Sequence, residues 1–317
     1  MTTRLKLPHL AAPRPYLSDG GLETDLLFHH GIDLPDFASF VLLDSDDGRA
    51  ALRAYFAPYV DLARQYGTGL VLETPTWRAN ADWGRRLGYG PEALDRVNHD
   101  AVAFLAEIRD EADDVPVVIS GNVGPRGDGY VPDAAFTARQ AEAYHRTQVE
   151  AFADTEADLV TAMTLTTVEE AVGFARAVEA VDMASVVGFT VETDGRLPSG
   201  ATLGDAVRQT DVATGGAPAY YMVNCAHPSH FLDALDGDWV VRVRAVRANA
   251  SACSHAELDE AEVLDEGDPA ALAADHVRLA DRLPRLAVVG GCCGTDVRHV
   301  AAIADALLAP ALAVPTS

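Results

Sequence analysis

Lysine is almost missing from this 317-residue chain: Lys6 stands alone against 23 arginines. Positive charge is scarce altogether, with 24 Lys and Arg against 48 Asp and Glu, for a net charge of −24. A surface of that sign repels a polyanion instead of exchanging its counterions, which argues against a nucleic-acid partner. The acidity falls on aspartate more than glutamate, 32 to 16. That bias fits a hydrated surface adapted to high salt, and a GC-rich genome accounts equally well for the loss of lysine. Long apolar runs are also lacking. No stretch of about 18 apolar residues occurs, and Met1 to Pro15 carries Arg4 and Lys6 without the apolar core of a secretory signal. The expectation is a cytoplasmic protein with no membrane contact. Cysteine is sparse too: four in the chain, two of them neighbours. That is no disulfide framework, and free thiols or metal ligands are the better reading.

What the chain does have is alternation. Short β-branched runs recur between amphipathic segments from end to end, the order of an α/β protein. The strand candidates are Tyr16 to Ser18, Leu70 to Glu73, Val117 to Gly121, Leu159 to Ala162, Val186 to Val191, Tyr220 to Asn224, Val240 to Val246 and Leu286 to Val289. Between them, Pro91 to Arg109 places Leu94, Val97, Ala101, Phe104, Leu105 and Ile108 on one helical face. Thr137 to Ala153, Thr167 to Val181, Pro269 to Leu283 and Asp296 to Leu308 read likewise, with Thr137 and Asp296 as N-caps. Eight such units without a linker predict a (β/α)8 TIM barrel, a single domain over residues 1–317, in preference to a doubly wound sheet.

Barrel geometry turns chain position into place, because residues just past the strand ends line the mouth. Cys225 follows the sixth strand, Cys292 and Cys293 follow the eighth, and Asp19-Gly20-Gly21 follows the first. Three thiolates on Zn²⁺ with a fourth position left open is the ligand count of a catalytic zinc site. Such an ion can present a substrate thiol as thiolate below a free thiol's pKa of about 8.5, which suits alkyl transfer to sulfur. Buried cysteines beside turn glycines would account for each residue alone. Adjacency inside Gly290-Gly291-Cys292-Cys293-Gly294-Thr295 tells against that account. Cys253 reads as a bystander to the trio, and His227 and His230, despite following Cys225 closely, as ordinary histidines. The glycine-rich run Gly124 to Gly129 lacks the phosphate-loop ending and reads as a plain loop.

These landmarks resemble the homocysteine S-methyltransferase family. They comprise Asp19 to Thr24, Glu73-Thr74-Pro75-Thr76-Trp77, Gly121-Asn122-Val123-Gly124-Pro125, Val223-Asn224-Cys225 and Gly290 to Thr295. The resemblance covers nearly the whole chain, and its last motif is the most specific. It implies a zinc barrel with Cys225, Cys292 and Cys293 on the metal. It also implies that Asp19 and the amides of Gly20 and Gly21, beside Asn224, receive the amino-acid end of homocysteine. The partners implied are a small-molecule thiol acceptor and a methyl donor. S-Methylmethionine is the first choice of donor, then S-adenosylmethionine or betaine, with Trp77 either facing the donor cation or packing against the barrel. One position departs from the family: Met163 stands after the fourth strand where a glutamate usually holds the substrate ammonium. Glu23 is the carboxylate placed to replace it. Other readings are a different thiol or selenol acceptor, or a zinc-binding barrel without catalysis. Oligomeric state cannot be read from the chain.

Overall fold

Six of the strand runs, Tyr16–Ser18, Leu70–Glu73, Leu159–Leu165, Ser185–Phe189, Tyr220–Asn224 and Val288–Gly291, are buried at every residue. Strands covered on both faces read as continuous apolar runs, and that is the mark of a parallel sheet wrapped by helices. The computed structural model describes residues 7–261 and 263–309. Among these, β1 (Tyr16–Ser18), β2 (Leu70–Glu73), β3 (Val117–Val123), β4 (Leu159–Leu165), β5 (Ser185–Phe189), β6 (Tyr220–Asn224), β7 (Val243–Ala248) and β8 (Val288–Gly291) pair in order as a closed parallel barrel. Closure is made where Tyr16 and Leu17 of β1 pair with Val288 and Val289 of β8.

The expected helices form with their expected starts. Thr137 caps Ala138–Ala153 and Asp296 caps Val297–Leu308, each in a reciprocal box, with Gln140 and His299 respectively reaching back to the cap. Such boxes satisfy two amide donors that the first helical turn leaves free. A 21-residue helix, Asp46–Tyr66, starts at Ser45 and stops at the left-handed Gly67. It brings Tyr55 and Tyr59 beneath the β1 loop. No described helix is long and apolar enough to cross a membrane.

Two cores result. The larger lies between helices and sheet, and the smaller fills the barrel interior with Val71, Val118, Leu159, Met163, Met222 and Val288 among others. Met163 is therefore part of the packed floor beneath the mouth.

Strand limits differ from expectation at the mouth. β7 begins at Val243, because Asp238–Arg242 turns as a 3-10 segment and Arg242 pairs with Asp211 at 2.8 Å. Arg247 thereby becomes a strand residue. β8 likewise shifts onward to end at Gly291. β4 runs on to Leu165 across a register shift at which Thr164 takes a positive φ of 62°.

Candidate functional site

The three mouth cysteines converge. One sulfur from each of Cys225, Cys292 and Cys293 lies within 4.8 Å of the others, and the Cys225 and Cys293 sulfurs are 3.5 Å apart. Thiolates about 2.3 Å from a tetrahedral ion stand about 3.8 Å from one another. The trio therefore fits a soft cation without rearranging the chain. Left to themselves the thiols compete for charge. Hydrogen bonding from Cys225 and Cys293, aided by the Arg247 cation, holds the Cys292 thiol well below its ordinary value, while the same contacts push Cys293 up. Cys253 is exposed and outside the trio, its sulfur 3.9 Å from Asp265. His230 bonds the Ala252 carbonyl and His227 caps a short helical turn through Ser229. A second group of potential ligands, Asp25, His29 and Asp296, is already joined by its own ion pairs and those of Arg298.

The backbone that aims these sulfurs is braced from β7. Cys225 donates its amide to the Arg247 carbonyl (3.1 Å), and Cys292 to that of Ala248 (2.7 Å). Cys225 is left-handed, φ 56°, a cost a non-glycine residue bears only when its surroundings dictate it. Here His255 Nε2 (2.9 Å) and Thr190 Oγ (3.1 Å) hold its carbonyl. Asn224 is fully buried, with both ends of its amide engaged by Thr164: Oδ1 accepts from the Thr164 amide and Nδ2 contacts Oγ1, each at 2.9 Å. Its visible work is to fix the strained β4 exit.

Arg247 is the hub on the other side of the trio. Only 5% exposed, it meets Asp19 at 2.7 Å and donates to the carbonyls of Gly20 (2.8 Å) and Gly291 (2.9 Å). Asp19 also accepts from Tyr55 at 3.1 Å, and burial pushes its carboxyl above the ordinary value despite Arg247. An aspartate expected to meet a substrate ammonium is thus occupied by the chain's own cation. The expected pair of glycine amides is reduced as well, since Gly21 donates to the Thr295 carbonyl at 2.9 Å. The reason is close packing: a side chain on Gly21 would collide with the Cys292 carbonyl, so the β1 and β8 loops lie backbone to backbone.

A cavity of about 530 Å³ opens over the trio. Glu23 and Met163 both line it. Glu23 accepts from Ser39 Oγ at 2.7 Å, and burial raises its carboxyl. Glu73, at the end of β2, is pushed up to about 7 by burial, with one carboxylate oxygen unpartnered. Tyr130, from the glycine-rich loop after β3, lies with its hydroxyl 3.2 Å from the Cys225 sulfur and its ring 4.0 Å from that of His255. Trp77 turns a face to Arg78, whose guanidinium carbon lies 4.0 Å from the ring centroid; the chain's own cation occupies the position considered for a donor. Sequence reasoning missed Arg247 and Tyr130. An arginine between Val246 and Ala248 near the end of an apolar run was the available signal for the first, and the second had none.

The homocysteine S-methyltransferase family model matches residues 16–307. Crystal structures of the homocysteine methyltransferase MmuM from Escherichia coli share the fold. Its metallated form superposes with a TM-score of 0.72 at 21% identity, covering 94% of this chain and 98% of that one. The oxidised form gives 0.72 at 21%, over 93% and 96%. The apo form gives 0.66 at 21%, over 94% and 97%. None of the curated proteins matches this chain in sequence. Matched from the first residue of β1 into the last barrel helix, the chain belongs to the homocysteine S-methyltransferase family and is an enzyme of the methyltransferase class.

Proposed function

We propose that this enzyme is zinc-dependent and moves a methyl group from a small sulfonium donor, S-methylmethionine first, to the thiol of homocysteine, giving methionine. The observation that carries the reading is the sulfur trio under an open cavity, assembled from β6 and β8 at one rim. Cys225, Cys292 and Cys293 would hold the zinc. Bound there, zinc would keep the acceptor sulfur ionised at neutral pH. That the E. coli structure of the same fold has a metallated form supports this.

The chain's own residues supply alignment and charge. Displacement forms the bond from the acceptor sulfur to the methyl carbon as the donor's S–CH3 bond breaks, and the donor leaves as a neutral thioether. Positive donor and negative acceptor cancel, so a dry cavity favours the step, and holding both partners in line lowers the entropic barrier. With Asp19 paired to Arg247, Glu23 is a wall carboxylate with capacity left for the acceptor ammonium, the role Met163 cannot fill. The Gly20 amide faces the Tyr59 hydroxyl and would exchange that contact to receive the acceptor carboxylate. Trp77 backs Arg78 in this reading.

A donor-by-acceptor activity matrix on zinc-loaded protein, with metal content measured in parallel, tests the proposal. Turnover of S-methylmethionine with homocysteine is expected, and Glu23→Ala should raise the acceptor KM. No turnover with any sulfonium and thiol at full zinc occupancy would overturn it. Met163 favours a second reading, another thiol or a selenol such as selenocysteine as acceptor. The same matrix decides between them, since homocysteine would then be turned over more slowly than its rival.

A further inference from the structure

Arg78 follows β2 and lines the same cavity. Its guanidinium is stacked between two indoles, 4.0 Å from Trp77 and 3.7 Å from Trp83. It is 8% exposed, its Nη1 donates to the Gly127 carbonyl at 3.3 Å, and its Nε has no partner. Among the described residues it makes no ion pair. The contrast with Arg247, equally buried but set against Asp19, is plain. Buried arginines are normally paired, because a desolvated cation without an anion is costly. The two indoles compensate in part through their ring faces. They also fix the plane of the guanidinium, and a planar fork held edge-on is the arrangement that binds a carboxylate through parallel hydrogen bonds.

We propose that Arg78 receives the carboxylate of the methyl donor, so that the enzyme selects zwitterionic donors over purely cationic ones. The inference rests on the function proposed above. Position supports it: in a ring of eight, β2 stands opposite β6, so Arg78 lies across the mouth from Cys225. A molecule that presents its methyl group to the sulfur trio and extends away from it reaches the Arg78 wall. Charge supports it as well. Glu23, Asp36 and Asp128 line the cavity but leave Arg78 without an ion pair. A donor carrying both a cation and a carboxylate satisfies both signs, whereas a carboxylate-free sulfonium leaves Arg78 unmatched.

The test is binding, separate from turnover. Trp77 and Trp83 flank the guanidinium, so their fluorescence reports occupancy while the remote Trp239 contributes a constant background. Zinc-loaded wild type, Arg78→Met and Arg78→Lys are titrated with S-methylmethionine and with its decarboxylated counterpart. A charge-assisted bidentate contact predicts that wild type prefers the carboxylate-bearing compound by about tenfold or more. Arg78→Met should abolish that preference, and Arg78→Lys, which keeps the charge without the fork, should retain part of it. Equal weakening of both compounds in Arg78→Met is the mark of a structural pin and overturns the proposal. So does a wild type that binds the two alike, or binds neither, a result that stands even where Arg78→Met fails to fold. Turnover without discrimination sinks the Arg78 assignment alone, while discrimination without methyl transfer to any thiol sinks the proposed function and leaves Arg78 as an anion receptor.

Discussion

Replacing Arg247 with methionine removes the cation from a site where Asp19 is 2% exposed and cannot turn to water. Breaking one side of a buried pair costs about 3–5 kcal/mol, because the remaining charge is left uncompensated. The Gly20 and Gly291 carbonyls lose their charged donor as well, which adds to the loss. An upper limit comes from protonation. Asp19 can neutralise itself, and taking up a proton at pH 7 against an ordinary pKa of about 3.9 costs about 4 kcal/mol. The variant is therefore expected to lose about 3–4 kcal/mol at neutral pH. The sign of its pH dependence follows. With Arg247 gone, the folded carboxyl titrates far above its unfolded value, so the neutral form's stability is fully present below about pH 4 and is lost as pH rises. The deficit against wild type should thus shrink on acidification. Urea unfolding followed by circular dichroism at pH 7.5 and pH 5 measures both quantities. A second change, Asp19→Asn, should restore part of the loss, since it removes the orphaned charge. A deficit under about 1 kcal/mol at pH 7.5, or one that does not shrink at pH 5, would refute the reasoning that Arg247 is the electrostatic anchor of this rim.

Cys292→Ser should take bound zinc from near one per chain to near none and abolish turnover with it. Zinc retained without activity would remove Cys292 from the ligand set. Glu73→Gln tests burial at the end of β2. A carboxyl held at about 7 favours its neutral form in the folded state, so its contribution is present at low pH and lost as pH climbs. Wild type should therefore lose about 3 kcal/mol relative to Glu73→Gln between pH 4 and pH 8. Parallel pH profiles for the two proteins would show that Glu73 titrates normally.

The sulfur trio was legible because its residue type is rare in this chain and two members are adjacent, while the alternation of strands placed all three at strand exits. Arg247 escaped for a local reason. Val240 and Val241 continue the β-branched pattern and drew the expected strand three residues early, leaving Arg247 outside it, although Asp238–Arg242 turns instead. Tyr130 escaped for a tertiary one. Its loop has no periodicity, and the contact with Cys225 spans the mouth. Asn224 and the Gly21 amide were read as facing substrate. Their partners, Thr164 near the end of β4 and Thr295 in the loop after β8, lie remote in sequence, where no spacing rule reaches.

The backbone bracing of both cysteine exits by β7 carries a consequence for how such an enzyme can change. Most of what keeps the sulfurs in place is concentrated on one arc of the rim, from the ends of β4 and β5 through β8 to β1. The far arc, with the loops after β2 and β3, touches that cluster through Tyr130. Lineages of this barrel can therefore rewrite the far wall, and with it the molecules admitted, while the reactive corner stays as it is.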